Sequence, residues 1–205
     1  MPPLKVLHLD SEATWRGGEQ QVAYLLHGLA ERGVCNLLAA PPGSVLLARV
    51  PARDAKPCPL PLRAEWDIVS ALRLARLIRR ERPRLIHAHT AKAHTMAVVG
   101  RLLSRQRLPV VVSRRVCFPI QAHWFNNWKY QEADFYLPIS HAIEAVLHEF
   151  GIPPERTEVV YSCIDPARFD GQSAEGLREE FGIPAEAVVI GNVAVCEALK
   201  DQATL

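Results

Sequence analysis

Several large classes of protein are excluded by what this sequence does not contain. Nowhere in its 205 residues does an apolar run approach the ~20 residues of a membrane-spanning helix. Cysteine is scarce and unevenly spaced. Cys35, Cys58, Cys117, Cys163 and Cys196 are odd in number and form no C-x-x-C pair, so they read as reduced thiols and not as a disulfide or zinc framework. There is no G-x-G-x-x-G and no G-x-x-x-x-G-K-[ST], which removes the dinucleotide and P-loop fingerprints. The absence of G-x-S-x-G argues against a serine hydrolase. No repeat or low-complexity tract appears. No basic-then-apolar leader opens the chain, so a cytoplasmic location is expected.

What is present suits a packed domain. Apolar residues make up 49% of the chain, enough for a core and too many for disorder. The length fits one large domain, or one domain plus part of another. Net charge is only +2, but it is unevenly spread. Between Ser70 and Arg115 twelve Arg or Lys face a single acid, Glu81, giving +11 and leaving −9 for the remainder. Such asymmetry points to an anionic partner: nucleic acid, an anionic membrane surface or a phosphorylated substrate.

The stretch from Leu4 to Gly33 organises the chain. Val6, Leu7 and Leu9 form a buried-strand run, a polar loop follows from Asp10 to Arg16, and then come Gly17, Gly18 and Glu19. Val22, Leu25, Leu26 and Leu29 share one face of a helix that Gly33 closes. Strand, glycine turn and helix make half of a βαβ unit. Backbone N–H groups and the helix dipole at such a turn favour anions. A tight turn that only lets helix and sheet pack explains the glycines equally well.

The same alternation continues. Further strands are expected at 36–40, 84–89, 109–113, 135–139 and 158–161, with a poor, proline-rich edge strand within 51–63. Ser44 caps a short helix at 45–50. Asp67 caps a helix over 67–82 with Ile68, Leu72, Ala75 and Ile78 inward and Arg73, Arg76 and Arg80 outward, stopped by Pro83. Thr90 caps a helix with Val98, Val99, Leu102 and Leu103 inward. The aromatic stretch 118–130 reads as a loop with an irregular helix. Ser140 caps a helix bearing Ile143, Val146, Leu147 and Phe150, closed by Gly151. A linker at 163–173, a small helix at 175–181 and an apolar strand at 188–195 follow. The expected division is a domain over 1–170 and the opening of a second over 171–205.

Strands alternating with helices make a parallel α/β sheet with right-handed crossovers. Such sheets bind ligands beyond the C-terminal ends of their strands. Arg16, Gly17, Gly18 and Glu19, then His89, Thr90 and Lys92, then Arg114 and Arg115, then Ser140 all follow strands and should converge on one rim. Arg114 and Arg115 offer forks for phosphate or carboxylate, or else surface ion pairs with Glu132 or Asp134. His87 and His89 share a strand face. No cysteine or carboxylate lies near them in sequence, so a metal is not expected. His87 reads as a core residue and His89, at the strand end, as ligand-facing.

These residues resemble the family 4 retaining glycosyltransferases of the GT-B fold. The likeness is carried by Trp15-Arg16-Gly17-Gly18-Glu19, by IHAHT at 86–90, by ADFYLPISHAIEAVLHEFGIPPERTEVVYSCIDPARF at 133–169 and by IGNVAVCEALKDQATL at 190–205. SRRVCFP at 113–119 resembles the lipopolysaccharide branch. The resemblance implies a Rossmann-like, acceptor-binding N-terminal domain and the start of a second, donor-binding Rossmann-like domain. It implies transfer of a sugar from a nucleotide-sugar donor to a cell-envelope glycolipid or saccharide acceptor, with retention, without a cofactor or metal, and without nucleic acid as partner. It implies acceptor contacts from Arg16, Gly17, Gly18, Glu19, His89, Thr90, Arg114, Arg115 and Ser140, and donor-phosphate contacts from Gly17, Gly18 and Lys200. No catalytic base is assigned. Val195 stands where an arginine is common, and Cys163-Ile164 replace the usual Asn-Gly before Asp165. An anionic membrane surface is a further expected partner, placing the protein peripherally at the inner face of the cell membrane. A nucleotide-sugar epimerase and a non-enzymatic binding module are the alternatives.

Overall fold

A computed structural model describes residues 3–65, 67–168, 176–194 and 201–204. It divides into two units, Met1–Cys163 and Ile164–Leu205. The boundary expected at 170–171 lies outside the described residues, as do Val195 and Lys200.

The first unit is a six-stranded, wholly parallel sheet: β1 (Lys5–Leu9), β2 (Cys35–Ala39), β3 (Lys56–Pro57), β4 (Leu85–Ala88), β5 (Val110–Arg114) and β6 (Phe135–Pro138). Their order across the sheet is β3-β2-β1-β4-β5-β6, the Rossmann order. Pro57 is tolerated because β3 is an edge. The helices are α1 (Gly17–Glu31), α2 (Val45–Arg49), α3 (Ile68–Glu81), α4 (Ala91–Ser104), α5 (Trp124–Glu132) and α6 (His141–Glu149). Ser44, Asp67, Thr90 and Ser140 each accept a backbone N–H at the start of α2, α3, α4 and α6, as the sequence signals require. Gly33 and Gly151 leave α1 and α6 with positive φ.

The two sheet faces differ in chemistry. One packs Leu7, Leu9, Leu37, Ile86, Val110 and Val112 against Leu74 and Ile78 of α3 and Met96 and Ala97 of α4. On the other, Leu38 joins Val22 and Leu26 of α1. Near the middle of that second face stand buried polar side chains, because His8 lies directly opposite His87 in the β1–β4 register and Asn36 follows on β2.

Several expectations are corrected. Helix α3 buries Ala71, Leu74, Ala75, Leu77 and Ile78, while Ile68 and Leu72 face solvent. Helix α4 buries His94, Met96, Ala97, Val98 and Gly100, while Leu102 and Leu103 face out. In both, apolar side chains cover more than one face, and the sheet can take only one. Residues 124–132 form a regular helix, capped by the His123 side chain. Residues 158–161 are not a strand. Glu158 and Val160 donate to Tyr136 and Pro138 along the β6 edge, but among the described residues the pairing amounts to a single bridge, Tyr136 with Thr157, and Val160 and Tyr161 are exposed.

Among its described residues the second unit has one short α-helix, α7 (Leu177–Glu180), and 3-10 turns at Pro166–Arg168 and Gln202–Thr204. The Arg178 guanidinium ties the following turn by donating to the carbonyls of Pro184 and Ala187. The strand expected at 188–195 is absent over its described residues, 188–194. Val188, Ile190 and Val193 are exposed there, since a parallel strand forms only beside neighbours, and no neighbour among the described residues pairs with them.

Candidate functional site

Strands β1 and β4 lie side by side, yet the chain leaves them in opposite directions: through α1 to β2, and through α4 to β5. A crevice opens beyond their C-terminal ends at this switch point. It holds a cavity of about 320 Å³, whose walls include Glu12, Arg16, Gly18, Glu19, His89, Thr90, Arg114 and Arg115. Segments more than ninety residues apart thus meet here. Gly17 and Ser140 are not among the lining residues. Ser140 accepts from the N–H of Ile143 at 3.3 Å as the α6 cap. Lys200 falls outside the described residues.

At the first turn of α1, buried Glu19 accepts from the Arg16 N–H at 2.7 Å and closes the helix start. Neither glycine beside it has positive φ. A Cβ on Gly17 would meet nothing within 4 Å, and one on Gly18 only Arg115 Cδ at 3.9 Å. The tight-turn explanation therefore fails: neither backbone conformation nor packing calls for glycine here. Of the two, Gly18 lines the crevice.

Arg115 donates from Nη1 to the His89 carbonyl at 3.0 Å, and its buried Nε has no partner among the described residues. Burial lowers its pKa, and the charges of Asp10 and Glu19 oppose that shift. Arg114 donates to the Tyr130 hydroxyl at 2.7 Å, and its Nε is likewise buried without a partner among the described residues. The expected ion pairs with Glu132 and Asp134 do not involve either arginine. Arg101 takes both carboxylates, at 2.7 and 2.9 Å. Both crevice guanidiniums therefore keep an unused donor. Thr90 Oγ1 caps α4 and lies 2.7 Å from Ser11 Oγ.

Buried Asp10, at the end of β1, has its pKa raised to about 6, chiefly by loss of water. The Glu12 N–H bond lowers it, and the carboxylates of Glu19 and Glu12 raise it further. His8 and His87 lie behind the crevice wall, and with the wall residue His89 they bring one ring nitrogen each within 4.8 Å of the others. Burial depresses all three pKa values, His8 to about 4. That nitrogen set is of a size to hold a metal, though no carboxylate belongs to it and the Arg115 charge acts on two of the rings. Burial also lowers the pKa of His94, a cavity-wall residue, to about 3.

A family model described as Glycosyltransferase Family 4 matches residues 15–168, most of the chain. The chain belongs to glycosyltransferase family 4. No curated protein matches it. Similar solved structures include a glycosyltransferase from Rickettsia africae (15% identity, TM-score 0.72), covering 91% of this chain and 51% of that one. Anabaena HepE in complex with UDP-glucose is 16% identical at TM-score 0.69, covering 87% and 50%. The lipopolysaccharide outer core galactosyltransferase WaaB is 12% identical at TM-score 0.61, covering 79% and 46%. The family 4 chain thus spans about half the length of these structures, and at such identities they share its fold.

Some residues of the family 4 crevice escaped the sequence reading. Glu12, His94, Tyr130 and Tyr136 line it, and Asp10, His8 and Asn36 stand behind it. His8 carried a signal, since a histidine amid Val6, Leu7 and Leu9 is out of place in a buried run. Asn36 gave none until β2 was known to lie beside β1.

Proposed function

We propose that this chain is the acceptor-side half of a retaining glycosyltransferase, moving a sugar from a nucleotide sugar to a hydroxyl of a cell-envelope saccharide or glycolipid. The crevice at the switch point carries the reading. There the N-terminus of a fifteen-residue helix presents two glycines that the fold does not require, beside two arginines with unused buried donors. The α1 N–H groups and Arg115 suit the donor diphosphate, and Lys200 joins them by resemblance. Arg114, Thr90, Glu19 and His89 suit the hydroxyl and anionic groups of the acceptor. Catalysis on this reading is positioning together with stabilisation of the departing diphosphate, with no step assigned to a metal. A UDP-glucose complex and a lipopolysaccharide galactosyltransferase among the similar structures favour these classes of donor and acceptor. A glycolipid acceptor is also favoured by exposed apolar groups following β5, Val116, Phe118 and Trp124, and by Ile68 and Val69 at the start of α3.

The test is product formation by a protein joining this sequence to a donor-binding half. UDP-, GDP- and ADP-sugars are offered with lipopolysaccharide-core and lipid acceptors, and the product linkage is read by NMR. Retained configuration in an acceptor product is expected. Epimerised nucleotide sugar without acceptor product overturns the reading. Gly18→Ala should not lower the melting temperature, because the added carbon meets only Arg115 Cδ at 3.9 Å, yet should lower turnover at least about tenfold, or ~1.4 kcal/mol. The 205-residue chain alone should bind these nucleotide sugars more weakly than micromolar by calorimetry.

A further inference from the structure

The polar groups behind the crevice form a chain whose hydrogens can be assigned one by one. Asn36 Nδ2 donates to the carbonyls of Leu26 and Asp54, both at 2.9 Å. The amide is thereby oriented, and its Oδ1 can only accept. Oδ1 lies 3.3 Å from His8 Nε2, so His8 carries its proton on Nε2. In a neutral His8 ring, Nδ1 is then a bare acceptor, and it lies 3.1 Å from His89 Nε2. His89 must therefore donate from Nε2, which leaves its Nδ1 as an acceptor lone pair. That atom is buried and has no donor among the described residues, and His89 is one of the residues of the crevice wall. A buried acceptor left unpaired costs about 1–3 kcal/mol, so the arrangement invites a donor from outside the protein.

We propose that Asn36 and His8 are positioning residues that hold His89 as its Nε2–H tautomer, keeping Nδ1 to accept a hydrogen bond from a hydroxyl of the sugar bound in the crevice. The hydroxyl half of this inference rests on the proposed function; the tautomer half does not. A metal held by the three imidazoles is the competing use of the same atoms. It is disfavoured because a dication would sit beside the Arg115 guanidinium with no carboxylate in the group and would break the His8–His89 bond.

Histidine-labelled ¹⁵N NMR of the 205-residue chain tests it. His8 and His89 are both expected as single Nε2–H tautomers, unaltered by a chelator. In His8→Leu, which removes the acceptor, His89 should lose its single-tautomer signature and gain Nδ1–H. His8→Gln offers a carbonyl oxygen and should restore it. A merely structural role would lower stability in His8→Leu without moving the tautomer. Methyl glucoside and UDP-glucose are then titrated in turn to high millimolar concentration. A shift of the His89 Nδ1 resonance with either supports the acceptor role. A shift with methyl glucoside alone agrees with His89 on the acceptor-substrate side, and a shift with UDP-glucose alone supports the hydroxyl contact while counting against the acceptor-substrate assignment of His89. Wild-type His89 found with its proton on Nδ1, a chelator-sensitive spectrum, or an Nδ1 resonance that neither sugar moves overturns the inference.

Discussion

Asp10 shows how a single side chain at the crevice works against the fold. Its carboxyl pKa is about 6 in the folded chain against 3.8 for the free group, mainly because burial removes water. A raised acid pKa means that the folded state holds the proton more tightly than the unfolded one. Its contribution is most favourable below pH 4 and is lost as pH rises to 6. Two units correspond to about 2–3 kcal/mol. Asp10→Asn keeps the oxygen that accepts from the Glu12 N–H and should raise stability at pH 7 by up to that amount, read as a higher urea midpoint. At this scale the sequence was partly legible. His89, Arg114 and Arg115 could be found because they follow strands, and strand ends face the ligand. The bond from Asn36 to His8 could not, since it depends on which strands are neighbours, and sequence order does not give that.

Helices α3 and α4 pack closely because Gly100 faces Leu74. A Cβ on Gly100 would lie 2.5 Å from Leu74 Cδ2 and 2.7 Å from Cγ, and Leu74 is fully buried. Gly100→Ala should therefore lose about 1–3 kcal/mol in urea unfolding, although alanine is the better helix former. Pairing it with Leu74→Ala should recover part of that loss. The same contact explains why only part of each buried stripe was legible in the sequence: Ala75 and Ile78 of α3 and Val98 of α4 face inward as expected, while other large residues do not. Ile68, Leu72, Leu102 and Leu103 read as part of the inward stripe, whereas the packed faces set the small residues Ala71, Ala97 and Gly100 among Leu74, Leu77 and Met96. Strands and caps were legible because their signals are local. Helix orientation was only partly so, because it is decided by fit to the neighbour.

Across the whole molecule, buried neutral histidines set the response to acid. Burial holds His8 at about 4 and His94 at about 3, with His87 and His89 well below the usual 6.5. A depressed histidine pKa contributes stability that is complete above pH 6.5 and is lost as pH falls towards 4. His8 alone amounts to about 3 kcal/mol by pH 4. Asp10 works in the other direction and is outnumbered. The urea midpoint should hold between pH 7 and 8 and decline steadily below 6.5. The outer surface carries a second global property. Arg73, Arg76, Arg80, Arg105 and Arg107 are exposed, while Arg101 is committed to Glu132 and Asp134. Anionic vesicles should co-sediment with the protein, less so as salt rises, and equal recovery with neutral vesicles would refute an electrostatic membrane attachment. The last residue of the first unit is fastened in an unusual way. Gln21 Nε2 donates to the Cys163 carbonyl at 2.7 Å, and Gln21 Oε1 accepts from the Cys163 N–H at 2.9 Å, so one amide side chain grips the backbone as a strand partner would. Mechanically this is a cleat. A pull on the chain beyond Cys163 is borne first by α1, one turn past Gly18, before it can peel the 158–161 segment from the edge of the sheet.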